Sequence, residues 1–336
     1  MPREALLYTK MEESHARCGL CAHRCRIGPG GRGLCGVREN RAGTIYCLVY
    51  GMVIAENVDP VEKKPLFHFL PGSLSYSIAA VGCNFRCDFC QNHEISQMPR
   101  DKGRVAGQAR TPAQIVERAL LSGSKSISYT FTEPTVYFEY AFDTAGIAKE
   151  RGLKNVFVTN GYMTGEMLRL MAPHLDAANV DLKSFRDDFY RKFCGAALRP
   201  VLESLRRMKE LGVWVEVTTL LIPGLNDSEE ELRQIATFIA SLGDETPWHI
   251  SRFCPRYRMA GVPLTPVASI RRAAQIGRGC GLKYVYCGNM PGDPDENTSC
   301  GRCGRLLIGR HGFSIERLEL AGSNCPHCGA RLEGIF

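Results

Sequence analysis

Long apolar runs are missing from these 336 residues. No stretch approaches the roughly 18 consecutive apolar residues of a bilayer-spanning helix, which excludes a helical membrane protein. The opening, MPREALLYTKMEESHARC, mixes acids and bases and lacks an apolar segment, so it does not read as a secretory signal. Solenoid repeats are absent. So is a basic repeat interleaved with aromatics, the plainest mark of nucleic-acid binding, and only Phe313 and Phe336 stand near the C-terminus as stacking candidates. A disordered composition is excluded as well: hydrophobic residues make up 44% and charged residues 23%, enough for a sizeable core. The expectation is a cytoplasmic chain of one large domain with appendages, or of two domains.

What the sequence has in excess is cysteine. Disulfides are rare in a reducing compartment, so sixteen cysteines point to metal or catalysis. Eleven fall into three sets: Cys18, Cys21, Cys25 and Cys35; Cys83, Cys87 and Cys90; Cys300, Cys303, Cys325 and Cys328. The other five, Cys47, Cys194, Cys254, Cys280 and Cys287, are scattered and need not be ligands.

Between the flanking sets the chain alternates. Apolar runs predict strands at 76–81, 126–130, 155–159, 178–182, 213–219, 248–253 and 283–287. Helical periodicity predicts helices at 111–122, 134–150, 164–172, 200–211, 228–242 and 266–278. Thr111, Pro112 and Gln114 form a start signal for the first helix. Repeated βα units imply a parallel sheet, open or wrapped into a full or partial barrel. The predicted organisation is a cysteine-rich metal-binding segment and linker at 1–72, an α/β barrel domain at 73–292 and a small ribbon at 293–336. The flanks hold too little apolar material for a core of their own, and a metal would staple them.

VGCNFRCDFCQNHE follows the first of these strands directly, on a βα loop, where barrel folds place their sites. Its C-x3-C-x2-C spacing gives three thiolates without an obvious fourth. Structural zinc wants four closed ligands, and here only His93 could complete it. A [4Fe–4S] cluster bound by three cysteines leaves one iron open to a substrate or cofactor.

With an aromatic, Phe89, before the last cysteine, this loop resembles the radical S-adenosylmethionine (SAM) superfamily, and the resemblance runs across about 75–290. It implies a partial (β/α)6 TIM-like barrel, and catalytic Cys83, Cys87 and Cys90 on a cluster whose free iron is chelated by SAM. It further implies reductive cleavage of SAM to a 5′-deoxyadenosyl radical that abstracts hydrogen from a substrate, as an oxidoreductase activity. Other loops are similar to those of glycyl-radical-enzyme activases. TFTEPT matches a Gly-Gly-Glu-Pro segment, with Phe131 and Thr132 in place of the glycines and Glu133 kept. TNGY carries Asn160, Asp181 and Lys183 form a D-x-K segment, and TTLLIPGLND carries Thr218, Thr219 and Ile222. The resemblance makes Phe89, Glu133, Asn160, Asp181, Lys183, Thr219 and Ile222 candidate cofactor contacts. Read from the residues alone, Asp181 and Lys183 suit equally an ion pair at the barrel mouth, and His249 suits a core histidine better than a ligand.

The pairs CGRCG and CPHCG have zinc-ribbon spacing, so Cys300, Cys303, Cys325 and Cys328 are expected to hold a structural zinc, a rubredoxin-like iron being the lesser alternative. Cys18, Cys21, Cys25 and Cys35 leave two options open, zinc, narrowly preferred, or an auxiliary [4Fe–4S] cluster; His15 and His23 lie close enough to replace a ligand. The stretch VDPVEKKPLFHFLPG, with Asp59, Lys63 and Lys64, together with YVYCGN and the terminal ribbon, resembles the radical SAM enzymes of the AmmeMemoRadiSam system, a pyruvate formate-lyase activating enzyme-like group. That resemblance implies Memo-like and AMMECR-type partners and leaves the substrate open, a protein or a small molecule. The formal charge of 42 − 35 = +7 suits docking of an acidic electron donor of flavodoxin or ferredoxin type, although a solvated basic surface is the simpler account. Alternatives from other classes are a radical SAM RNA-modifying enzyme and a non-catalytic zinc-binding scaffold.

Overall fold

A computed structural model describes residues 2–336. Its central sheet begins with β1 (Ala55–Pro60), followed by β2 (Leu74–Ala79), β3 (Ser126–Tyr129), β4 (Lys154–Thr159), β5 (Ala177–Asp181), β6 (Trp214–Leu221), β7 (Trp248–Arg252) and β8 (Val285–Gly288). These eight strands lie side by side in chain order. β1 is antiparallel to β2, and every later pair is parallel. β1 and β8 are not paired with each other, so the sheet is open and consistent with a partial barrel.

Six main helices cross between the parallel strands: α1 (Pro112–Leu121), α2 (Phe138–Glu150), α3 (Gly165–Met171), α4 (Leu198–Glu210), α5 (Glu229–Leu242) and α6 (Val267–Gly279). α1 starts where its sequence says it should. Thr111 accepts from the Gln114 amide, the Gln114 side chain returns to the Thr111 amide, and Pro112 takes the first helical position. Among the described residues no helix is long and apolar enough to cross a membrane.

Strand alternation sorts side chains into two layers. Tyr129, Phe157, Val180 and Val217 pack outward into the main core under the helices. Inward-facing Val156, Ala177 and Trp214 meet Val61, Leu66 and Phe69, so the linker at 61–70 fills the interior of the open barrel. It is tied there by Glu216 of β6, which accepts from the backbone amides of Phe67 and His68, and by Asn179 of β5, which donates to the Pro65 carbonyl. β1 lies outside the strands expected from sequence. Half of its residues AENVDP are polar, and only its pairing with β2 makes them a strand.

The C-terminal part carries β9 (Thr298–Ser299), β10 (Leu306–His311) and β11 (Ser314–Leu318), an antiparallel three-stranded sheet. Two small antiparallel sheets built from residues 3–47 form the N-terminal part.

A cysteine loop at the carboxyl ends of the strands

A cleft of about 450 Å³ opens at the carboxyl ends of the parallel strands, where open and closed α/β sheets place ligands. Each strand contributes from its end: Cys83, Cys87, Phe89 and Cys90 after β2, Glu133 after β3, and Asn160 after β4. Asp181 and Lys183 come from the end of β5, Thr218 and Leu220 from β6, Ser251 from β7, and Asn289 after β8.

The cysteine loop is held by its own backbone and by neighbouring segments. Arg100 donates to the carbonyls of Cys83 (2.9 Å) and Phe85. The Phe85 amide donates to Cys83 Sγ at 3.3 Å, and the Ser96 hydroxyl lies 3.3 Å from Cys90 Sγ. Gly82, with φ of +101°, could not be replaced without a clash, since a β-carbon there would sit 2.8 Å from Val37 and 3.1 Å from the Cys35 carbonyl oxygen. Burial, reinforced by the Glu133 carboxylate, pushes the metal-free Cys83 thiol well up. Cys87 is raised by a hydrogen bond with the Cys194 thiol and by burial.

The spacing of the sulfurs is informative. A tetrahedral zinc with bonds of about 2.3 Å holds its sulfurs about 3.8 Å apart. The four ribbon sulfurs of Cys300, Cys303, Cys325 and Cys328 all lie within 4.8 Å of one another, with pairs at 3.6 and 3.7 Å. Neither Cys83, Cys87 and Cys90 nor any three of Cys18, Cys21, Cys25 and Cys35 are gathered so closely. His93 does not complete a fourth corner: its Nδ1 donates to the Cys90 carbonyl and its ring stacks on Tyr257 at 4.2 Å.

The remaining candidates divide. Glu133 is buried and its carboxylate is filled by the chain: Thr135 amide and hydroxyl and Thr159 hydroxyl reach Oε1, while Thr159 and the Asn160 amide reach Oε2. Burial lifts its pKa while these donors act against the rise. Asn160 donates to Asn84 Oδ1 (2.7 Å) and lies 3.8 Å from Cys83 Sγ, while Gly161 with φ of +69° turns the chain against Val180. Asp181 and Lys183 pair at 2.9 Å, and the Lys183 ammonium stands 5.6 Å over the Phe89 ring, so the pair at the barrel mouth also lines the cleft.

Two expected contacts are corrected. Thr219 and Ile222 are fully buried and do not line the cleft. Thr219 faces outward, accepting from Trp248 Nε1 and donating to the Leu182 carbonyl, and the Ile222 amide donates to Asn226 within its turn. The inward neighbours Thr218 and Leu220 take the place expected of them. His249 is a core histidine bonded to Glu216 at 2.6 Å. Three further groups at the site are not among the expected contacts. Lys64 is held by Asp59 (2.7 Å) with its ammonium 4.8 Å over the Phe131 ring; Phe131 carries a φ of +62°; Asn84 bridges the loop to Asn160. A lysine close after Asp-Pro in the linker is the one available signal.

The profile of the radical SAM superfamily matches residues 77–239. The chain is 46% identical to an uncharacterized protein of Methanocaldococcus jannaschii over 337 residues, 99% of this chain and 100% of that protein. It is 26% identical to the pyruvate formate-lyase-activating enzyme of Clostridium pasteurianum over 48% of this chain and 67% of the relative. In fold it is similar to a radical SAM methyltransferase from Sphaerobacter thermophilus, with a TM-score of 0.52 and 19% identity over 66% of this chain and 68% of that one. The superfamily profile and the activating-enzyme relative agree, and the chain belongs to the radical SAM superfamily.

Proposed function

We propose that this chain is a radical SAM enzyme in which Cys83, Cys87 and Cys90 hold a [4Fe–4S] cluster through three of its irons. The observation that carries the reading is a three-thiol loop opening on a cleft, with sulfurs too far apart for one ion and no fourth ligand from the chain. Bound there, the cluster and SAM would supply the reducing electron and the cleavable sulfonium, and hydrogen abstraction from a substrate would follow. The cleft is of a size for such a cofactor beside part of a substrate.

The chain's own residues do the positioning. Arg100, Ser96 and the Phe85 amide fix the thiolates, and Phe89 with Lys183 forms one wall. Glu133 acts as a positioning residue, because its carboxylate binds the loops after β3 and β4 together and so sets Asn160 beside Cys83. Lys64 brings a buried cation to the cleft floor, where it favours an anionic group on whatever occupies the cleft. The electron donor is a low-potential one-electron carrier of flavodoxin or ferredoxin type. The relatives span an activase and a methyltransferase, so the substrate is not carried over from either; Memo-like and AMMECR-type proteins are the partners that the resemblance suggests. We assign zinc to the ribbon, since its four sulfurs already stand at single-ion spacing.

The test is 5′-deoxyadenosine formation from SAM by the anaerobically reconstituted protein with dithionite, beside Cys90→Ala. The wild type forms it and the variant does not. Full formation by Cys90→Ala, or a wild type that takes up no iron, overturns the reading.

A further inference from the structure

The N-terminal cysteines come from a strand end, a turn and a loop, yet Cys18, Cys21, Cys25 and Cys35 line one cavity. Their sulfurs are not gathered as those of the ribbon are. A single zinc ion would draw them to about 3.8 Å, whereas a cubane binds each cysteine through a different iron and so keeps the sulfurs apart. In this respect the four resemble the catalytic three rather than the ribbon.

The surroundings favour the same occupant. The backbone amides of Leu20, His23 and Val37 lie close to the sulfurs of Cys18, Cys21 and Cys35, two residues behind in each case. The Phe85 amide stands in the same relation to Cys83. Arg38 lines the cavity with its guanidinium buried and tied to Glu139, a cation placed against a group of four thiolates. Asn84 also lines it, 2% exposed, and its Nδ2 has no partner in the protein. A buried unpaired N–H is costly and calls for an acceptor, which bridging sulfides provide.

We infer that Cys18, Cys21, Cys25 and Cys35 hold a second [4Fe–4S] cluster, coordinated by four cysteines and placed directly behind the catalytic loop. The two sites touch through the chain: His23 Nε2 donates to the Asn84 carbonyl (2.9 Å), one residue from Cys83, and the Cys35 carbonyl packs on Gly82. This narrows the choice between zinc and iron–sulfur toward the latter. It does not rest on SAM cleavage, since a chain that never cleaves SAM could still carry this cluster.

The test is metal and acid-labile sulfide content of the full-length chain, purified without oxygen and reconstituted with iron and sulfide. The triple variant Cys83→Ala/Cys87→Ala/Cys90→Ala retains about four irons and about four sulfides per chain, with a cluster signal by Mössbauer spectroscopy. Adding Cys21→Ser and Cys35→Ser removes them. Should the triple variant fail to fold, the wild type decides: about eight irons supports the second cluster and about four overturns it. Two zinc ions per chain, with no sulfide in the triple variant, also overturns it. A wild type with both clusters and no 5′-deoxyadenosine would sink the proposed function and leave this inference standing.

Discussion

Phe131 holds a backbone conformation that a β-carbon opposes, with φ of +62°, where the glycyl-radical activases it resembles have glycine. The turn therefore takes this shape without the residue that makes it easy. It is anchored by Asn92, which donates to the Phe131 carbonyl, and by the Lys64 ammonium over the ring. Phe131→Ala loses the ring and keeps the strain; Phe131→Gly loses the ring and the strain together. The glycine variant should be the more stable of the two by about 1 kcal/mol in denaturant unfolding, and the reverse order would mean that the turn is not strained. Asp59 sits in a different balance. Burial alone would raise its carboxyl, but hydrogen bonds from Lys63 and Lys64 hold it down to about 2. The pair therefore adds stability above the ordinary carboxyl value near 3.8, and that stability drains away as pH falls toward 2. Asp59→Asn leaves the Lys64 ammonium buried and unpaired, at a cost of about 3–5 kcal/mol at neutral pH, and removes this acid limb. Equal unfolding midpoints for the Asp59→Asn variant and the wild type would refute it.

At the scale of elements, the strands and helices of the barrel are legible because β-branched and aromatic runs alternate with amphipathic stretches. The facing of each strand is not. In a parallel sheet both faces are buried, so the hydrophobic pattern gives no phase, and the sequence points to Thr219 where Thr218 faces inward. β1 is hidden for the opposite reason, since its polar residues become a strand only against β2. The cysteine loop is readable from spacing alone, whereas the saturation of Glu133 is not, because its partners Thr159 and Asn160 come from another loop. The ribbon carries its own prediction. Leu307 and Ile308 of β10 are buried with Cys300, Cys325 and Leu332 against Phe67, Tyr284 and Tyr286 of the linker and barrel, so the ribbon has little apolar core of its own, and removal of the proposed zinc by a strong chelator should open this element to protease while the barrel stays resistant. A ribbon equally resistant before and after chelation would show that the ion contributes nothing to its folding.

Across the whole molecule, one hydrogen-bond chain joins the ribbon, the barrel and the linker. Arg310 of the ribbon donates to Thr298, Thr298 meets Tyr286 of β8, Tyr286 meets His68 Nε2, and His68 Nδ1 donates to the Glu333 carbonyl. Burial pushes the His68 pKa down to about 4 and so favours a neutral imidazole. Unfolded, the same side chain takes a proton near its ordinary 6.5, so stability is full above that pH and falls progressively between 6.5 and about 4. The full drop is worth about 3 kcal/mol. Thermal midpoints recorded from pH 7.5 to 4.5 should show this slope in the wild type and a shallower one in His68→Asn; parallel curves would exclude His68 as its source. The plug that His68 belongs to has a further consequence, in the order of assembly. Residues 61–70 leave the ribosome before the strands that surround them, and Glu216 lies 149 residues downstream of Phe67. Arg310, which donates to the Phe67 carbonyl, lies 243 residues on, and Glu333 lies 265 beyond His68. This early-made segment thus cannot complete its contacts until Glu216, Arg310 and Glu333 have been synthesised, and long-range closures of this kind favour slow folding of the barrel interior.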